Sequence, residues 1–380
     1  MDSIRILHTG DVHIGAPFEF LGERGAEQRR TVRETFERVT RIAGENGYGV
    51  LLVAGDLFDD AYAVPERDVA FAIRCLAAAG PACRVVILPG SHDYWAPGSV
   101  YERERDRFEG AGNVSILTPE RRVVTFPDLS LAVHGNPLTS PHEAANLVAG
   151  LVPEREMRWN VAMAHGSVAG ASADHDPQEN PIRLDELPPG FDYAALGHWH
   201  SYNVVRADGP PVVYSGSPEL IARDQTGAGS VVSVTFSGEA ASIERIAVGR
   251  RHIEAVTIDC TGIGSTEQLV ARILERAAAD SDLVLDVAPS GVLEGGAVID
   301  PELALEMLVE RYFSVRFTGE VHAREISRDV ILAVPEGTVA GSFVRLLLER
   351  IDRAEGDERR CLEEALQIGY QLFQGRNLLR

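Results

Sequence analysis

Five short apolar runs set the pattern of this chain, and each leads into a polar cluster rich in Asp and His. Ile4 to Leu7 precedes Asp11-Val12-His13, Val50 to Ala54 precedes Gly55-Asp56, and Val85 to Leu88 precedes Gly90-Ser91-His92-Asp93. Val161 to Ala164 precedes His165, and Tyr193 to Leu196 precedes Gly197-His198-Trp199-His200. Such runs read as buried strands. Between them the period becomes helical: Val32, Phe36, Val39 and Ile42 line one face from Glu27 to Ile42, with Arg29 and Arg30 on the solvated side. Pro65 opens a second helix that runs to about Ala79 through Val69, Ile73 and Leu76. Strand, helix, strand order predicts a layered α/β fold, in which ligands bind beyond the carboxyl ends of the strands. Residues 114 to 135 alternate as strands, and 136 to 160 read as loop plus a short helix. Strands at 230 to 236 and 242 to 248 are expected to complete a second sheet. The prediction is two sheets packed face to face with helices outside.

Gly249-Arg250-Arg251-His252 marks a change of composition and an expected boundary at about residue 250. Residues 251–340 read as strand, helix (Glu267 to Ala279), strand, helix (Pro301 to Arg311), strand, strand, a small α+β domain. Residues 341–380 carry two amphipathic helices, Phe343 to Arg353 and Arg359 to Phe373, separated by Glu355-Gly356-Asp357. Their apolar positions Phe343, Leu346, Leu347, Ile351, Leu362, Leu366, Tyr370 and Phe373 serve either packing on the protein's own body or docking of a partner helix. Periodicity does not choose between the two.

A chain of 380 residues, 45% of them hydrophobic, is large enough for two or three domains with a substantial core. It has no apolar run long enough to span a membrane and no signal-like start, so a cytoplasmic location is the expectation. Cys75, Cys83, Cys260 and Cys361 are scattered with no CxxC pair, which predicts reduced core thiols. The net charge of −21 argues against a chain that coats nucleic acid unaided, since phosphate neutralisation supplies non-specific affinity. It leaves a nuclease open, because metal ions can place positive charge where a phosphate sits. All 36 basic residues are Arg, which fits a GC-rich coding bias better than a binding strategy.

The residue types at the strand ends are hard-metal ligands. A carboxylate flanked by Asp, His and further imidazoles is what two closely spaced divalent cations need, and Asp56 is the candidate for sharing by both. Asp11 and His13 can turn toward one ion, and His92 followed by Asp93 suggests an imidazole tuned by a carboxylate. His198 and His200, two apart in extended chain, point the same way and could each serve a different metal. His8 and His134 read as structural, and Trp199 as packing. Gly166 to Pro181 reads as a mobile surface loop whose Asp174, His175 and Asp176 are expected to be solvated.

With these clusters in this order, the chain resembles the calcineurin-like metallophosphoesterases over roughly its first 250 residues. Within that superfamily Leu7-His8-Thr9-Gly10-Asp11-Val12-His13-Ile14-Gly15, Gly55-Asp56-Leu57-Phe58-Asp59 and Tyr214-Ser215-Gly216-Ser217-Pro218 are similar to the SbcD-type DNA repair exonucleases. The small α+β domain is similar in placement to the capping domain of that group. The resemblance implies a two-sheet metallophosphoesterase sandwich that hydrolyses DNA phosphodiesters with two divalent metal ions, Mn²⁺ first, with Fe or Zn also fitting the mixed shell. It puts Asp11, His13 and His200 on one metal, His165 and His198 on the other, and Asp56 on both. His92 is then expected to stabilise or protonate the leaving oxygen, oriented by Asp93. The family pattern has Asn where this chain has Ser91, a shorter and poorer ligand, so the second site is expected to hold its metal more weakly or to select another ion. A homodimer and an SMC-like coiled-coil ATPase partner (SbcC-type) follow from the same resemblance, with the C-terminal helices as the candidate docking site. The competing expectations are a small-molecule phosphodiesterase and a scaffold whose second metal site has weakened.

Overall fold

The computed structural model describes residues 3–168, 179–223, 225–293, 299–318, 322–323 and 333–373. In chain order the first elements are β1 (Ser3–Thr9), α1 (Gly25–Glu45), β2 (Val50–Ala54), α2 (Glu66–Ala78), β3 (Arg84–Leu88), α3 (Val100–Glu109) and β4 (Val114–Ile116). β1 to β4 lie side by side, all parallel. Parallel neighbours need crossover connections, and the helices supply them. α1 buries Val32, Phe36 and Val39 as its spacing predicts, and leaves Arg29 and Arg30 exposed.

The chain then continues as β5 (Val123–Phe126), β6 (Leu131–Gly135), β7 (Trp159–His165), β8 (Ser167–Val168), β9 (Pro181–Ile182), β10 (Tyr193–Gly197), β11 (Asn203–Arg206) and β12 (Val212–Tyr214). The second sheet runs β11-β12-β10-β7-β6-β5. Residues 136–158 hold turns rather than the expected short helix. Asn136 Nδ2 fastens that loop by donating to the carbonyls of Leu147 and Ala149.

The hairpin β13 (Ser230–Ser237) and β14 (Ala240–Ala247) corrects one expectation: it extends the first sheet. β13 pairs antiparallel with β1, Ile6 opposite Val234. The alternation in Ser230–Ser237 fixes which residues face inward, but either sheet could use that face, and the open edge of β1 takes it. Val232, Val234 and Phe236 thereby join Ile4, Ile6, Leu52, Val86 and Leu88 against Val133, Val161, Met163, Tyr193 and Val213 of the second sheet. Full burial of each such side chain is worth about 1.5–3 kcal/mol, and this layer holds the two sheets together.

The chain forms two compact units, Met1–Glu254 with Asp282–Val284, and Ala255–Ser281 with Leu285–Arg380. The second contains helices Thr266–Arg276 and Pro301–Leu308. Ser265 caps the first by accepting from Gln268 N, and Asp300 caps the second by accepting from the amides of Glu302 and Leu303. Strands His252–Asp259, Asp280–Ser290 and Tyr312–Phe317 form a three-stranded sheet. Helices Val339–Ile351 and Gly356–Phe373 pack on each other through Val344, Leu347, Ile351, Leu362 and Leu366. Leu346 and Phe373 stay exposed. Cys75, Cys83 and Cys260 are buried thiols as expected, whereas Cys361 is exposed on the last helix.

Candidate metal centre

The polar clusters meet where the carboxyl ends of both sheets come together. The first sheet supplies Asp11 and His13 after β1, Asp56 after β2, and Ser91 and His92 after β3. The second supplies His165 at the end of β7, and His198 and His200 after β10. Turning that many side chains inward strains the chain. Asp11, His13 and Asp56 have φ of 53°, 51° and 51°, and His198 has φ of 96°. Positive φ at non-glycine residues is uncommon and costs about 1–3 kcal/mol each. Backbone hydrogen bonds between the first two loops hold the strain: Asp11 N to Gly55 O at 3.0 Å, Val12 N to Asp56 O at 2.8 Å and His13 N to Asp56 O at 3.0 Å. Two glycines make the approach possible. A Cβ on Gly90 would fall on Asp56 Oδ1, and one on Gly197 would fall on the carbonyl oxygen of Ala54.

Three imidazoles are aimed by their Nδ1 atoms. His13 Nδ1–H donates to Asp59 Oδ1 at 2.9 Å, His165 Nδ1–H to Ala54 O at 2.9 Å, and His200 Nδ1–H to Gln225 Oε1 at 2.6 Å. Each therefore keeps its Nε2 lone pair for the centre, the arrangement that orients metal-binding histidines. His13 Nε2 lies 3.3 Å from His200 Nε2 and 3.7 Å from Asp56 Oδ2; His165 Nε2 lies 3.1 Å from the same Oδ2. A bare imidazole nitrogen and a carboxylate oxygen at that separation need positive charge between them.

The electrostatics report the same demand. Burial alone would raise the Asp56 carboxyl, but the charges of His165 and His13 outweigh it and hold it well below the usual carboxylate range. Burial opposes charging of His165, yet Asp56 and Asp11 pull it up to about 9. Asp11 is pushed up to about 6 by burial, eased by His165. Burial and the neighbouring His13 push His200 well below the ordinary histidine value.

These residues fit divalent cations. Asp11 Oδ1 accepts from His198 N at 2.9 Å, but its Oδ2 is buried with no hydrogen-bond partner, a lone pair left for a ligand. Three overlapping groups have their ligand atoms within 4.8 Å of one another: Asp11, His13, His200; His13, Asp56, His92; and Asp11, Asp56, His165. The site predicted from sequence is thus brought together, with two differences of detail. Asp11 and His13, like Asp56, each belong to two groups. His198 belongs to none of them, and its ring stands 5.2 Å from that of His165, centroid to centroid. Ser91 Oγ occupies the gap, 3.1 Å from Asp56 Oδ2 and 3.2 Å from His165 Nε2.

Asp93 does not orient His92. Its Oδ1 accepts from Gly90 N at 2.8 Å and Asp56 N at 3.2 Å, and its Oδ2 from Phe58 N at 3.1 Å and the Tyr101 hydroxyl at 2.7 Å. The carboxylate is a buried clasp between the β2 and β3 loops. The His92 ring is held instead by Asp59, whose carbonyl accepts from Nδ1–H at 3.0 Å. Asp59 therefore serves both His13 and His92, and Gln225 serves His200; sequence reasoning assigned neither a role. Asp59 stands in the Gly55–Asp59 motif and was open to discovery there, whereas nothing local marks Gln225.

The remaining polar candidates behave as structural groups. His8 is buried against the Tyr193 hydroxyl at 2.9 Å, and burial pushes it down to about 3. His134 Nε2 bonds Asn160 Oδ1 at 3.0 Å. Trp199 packs on the second-sheet cluster, its ring 6.0 Å from Tyr214. Asp174, His175 and Asp176 lie outside the described residues. Above the centre opens a cavity of about 480 Å³ lined by Asp56, Ser91, His92, His198 and His200 and walled by Asp59, Asp60 and Glu179.

A two-sheet sandwich with Asp and His converging from both carboxyl edges defines a metal-dependent phosphoesterase, and the chain belongs to the calcineurin-like phosphoesterase family, which it matches over residues 4–202. Among named proteins it is similar to DNA double-strand break repair protein Mre11 of Aeropyrum pernix, 31% identical over 296 residues, covering 73% of this chain and 68% of that protein. It is 30% identical over 247 residues to Mre11 of Methanopyrus kandleri, covering 59% of this chain and 52% of the other. It is 25% identical over 398 aligned positions to the SbcD component of the SbcCD nuclease of Rhodobacter capsulatus, covering 90% and 94%. The chain thus spans between about half and two thirds of the length of these two Mre11 proteins. Among the described residues no helix is long and apolar enough to cross a membrane.

Proposed function

We propose that this chain is the nuclease component of a DNA repair complex and hydrolyses DNA phosphodiester bonds. The observation that carries the reading is the clustering of Asp11, His13, Asp56, His92, His165 and His200 in overlapping groups whose ligand atoms lie within 4.8 Å of one another, with Asp11 Oδ2 buried and unpartnered. The relatives named Mre11 and the SbcD component of the SbcCD nuclease support DNA as the substrate class. Two divalent cations, Mn²⁺ in this reading, held by Asp11, His13 and His200 and by His165 and His198 with Asp56 between them, would supply Lewis-acid polarisation of the phosphoryl oxygens and activation of water.

The chain's own residues do the rest. Asp93 clamps the Asp56 and Gly90 backbone, so the shared carboxylate does not drift as charge changes around it. Asp59 fixes the rotation of both His13 and His92. With Nδ1 committed, His92 presents Nε2 to the cavity it lines and donates a proton to the departing sugar oxygen. Ser91 places a neutral hydroxyl between Asp56 and His165 in place of the carbonyl ligand of the family pattern.

A cavity walled by Asp59, Asp60 and Glu179 repels a polyanion. That supports a partner that contributes basic surface, and the same reading assigns an SbcC-type SMC-like ATPase, a homodimeric assembly and a cytoplasmic setting. The acidic wall is also the observation that favours the rival reading, a phosphodiesterase for small molecules. Degradation of labelled single- and double-stranded DNA with Mn²⁺, Mg²⁺ or no metal, comparing the wild type with Asp56→Asn, tests the proposal. Metal-dependent cleavage lost in the variant is expected. Hydrolysis of chromogenic phosphodiesters with no cleavage of DNA would transfer the assignment to the small-molecule class.

A further inference from the structure

The cavity above Asp56 has an aromatic rim that hydrolysis itself does not use. Tyr62 is 48% exposed and Tyr94 is half-buried, and both line the cavity together with His92 and Ser91. Their rings meet edge to face, with centroids 5.9 Å apart and planes at 80°. Both residues sit on fixed backbone. Asp60 Oδ1 accepts from the amides of Tyr62 and Ala63, both at 2.7 Å, a turn that fixes the backbone beneath Tyr62. Tyr94 packs against the second-sheet cluster, and the next amide, Trp95 N, donates to Leu138 O at 2.8 Å. Each tyrosine is also tied to the reacting centre: Tyr62 follows closely on Asp59, whose carbonyl holds His92, and Tyr94 follows closely on His92 itself.

We propose that Tyr62 and Tyr94 form a stacking platform for an unpaired nucleobase beside the scissile phosphate, so that single-stranded or frayed DNA is the preferred substrate. The inference rests on the nuclease reading above and deepens it. The metal centre can hold the scissile phosphate, but Asp59, Asp60 and Glu179 on the cavity wall oppose the flanking phosphates, so the rest of the strand needs a grip other than charge there. Stacking supplies one, because every base has a π-face and the attraction needs no cation. In a duplex those faces are covered by neighbouring pairs, and the rim has nothing to hold.

The test uses the metal-loaded full chain and two single-stranded oligonucleotides, one ordinary and one with abasic residues flanking the cleaved bond. Tyr62→Ala is expected to raise KM for the ordinary strand by about 5- to 150-fold, the range that loss of one stacked base gives. Cleavage of the abasic strand should stay within about twofold of wild type, and Tyr62→Trp should restore the ordinary KM. Equal loss on both strands, or an unchanged KM on the ordinary strand, overturns the platform and leaves the rim as a contact for a protein partner. A wild type that cleaves no DNA with any metal overturns the nuclease reading and the platform with it. A wild type that cleaves both strands alike overturns the platform alone.

Discussion

A single methyl group at Gly197 should break the centre without touching any ligand. Gly197 ends β10, pairs with His165, and sits where the second sheet closely approaches Ala54 of β2. A Cβ there would come within 2.9 Å of His165 Nδ1 and closer still to Ala54 O, the two atoms that share the hydrogen bond fixing the His165 ring. To reach ordinary contact at 3.4 Å the carbonyl would have to retreat by roughly 1.6 Å, and backbone packed between two sheets cannot yield that cheaply. Overpacking of this kind costs about 1–3 kcal/mol, and the lost hydrogen bond adds about 1 kcal/mol. Gly197→Ala should therefore lower the melting temperature by roughly 5 to 15 °C for a unit of this size. The freed His165 ring should also weaken metal binding. Differential scanning calorimetry with elemental analysis measures both, and Gly337→Ala, whose Cβ meets nothing, is the neutral control. A Gly197→Ala protein with wild-type melting temperature and wild-type metal content would refute the packing argument and the role given to the His165–Ala54 bond.

Asp59→Ala removes the acceptor of His13 Nδ1 but keeps the backbone carbonyl that holds His92. Titration should show metal affinity falling by about 10- to 100-fold, the usual cost of losing such an outer partner, and undiminished affinity would show His13 to be oriented by other means. Ser91→Asn restores a carbonyl donor between Asp56 and His165, so the second equivalent of metal should bind more tightly by isothermal titration; no change would mean that the hydroxyl already serves. His8 gives the acid limb of stability. Its unfolded value lies near the ordinary 6.5 and its folded value near 3, so below pH 6.5 the unfolded chain takes up a proton the folded chain refuses. Stability contributed by neutral His8 is present above that pH and is lost at up to about 1.4 kcal/mol per unit on descent. Urea unfolding of metal-free protein between pH 7.5 and pH 4 should give a shallower slope for His8→Phe, and an identical slope would remove His8 from the account.

What the sequence revealed and what it concealed divide along a physical line. The ligands were legible because a buried strand that ends in glycine and then Asp or His is an expensive arrangement, and five of them in one chain leave few purposes besides a metal. The helix at Gly25–Glu45 was legible because one apolar face repeats at its own period. The hairpin Ser230–Ser237 with Ala240–Ala247 was misplaced because alternation tells a strand which side is inside, never which strand lies beside it. Asp93 was misread for a related reason. Adjacent to His92 in sequence, its carboxylate turns into the protein toward Tyr101 and three amides, while the group that holds His92 comes from another loop. Chain neighbours in a tight turn share a position but not a direction.

The same geometry explains why one centre needs both sheets. The first sheet brings both acids, Asp11 and Asp56, with His13 and His92, and the second brings His165, His198 and His200. Asp11 and Asp56 alone at one edge would repel each other; facing His165 across the Ala54 carbonyl, Asp56 is held ionised while His165 is drawn toward its charged form, so the metal-free centre carries a proton that a bound cation would displace. The strained backbone at Asp11, His13, Asp56 and His198 is the mechanical counterpart of that electrostatic pairing. The apolar layer between the sheets holds both in place, since relaxing either would require Leu52, Ala54, Val161 and Ala195 to lose their burial.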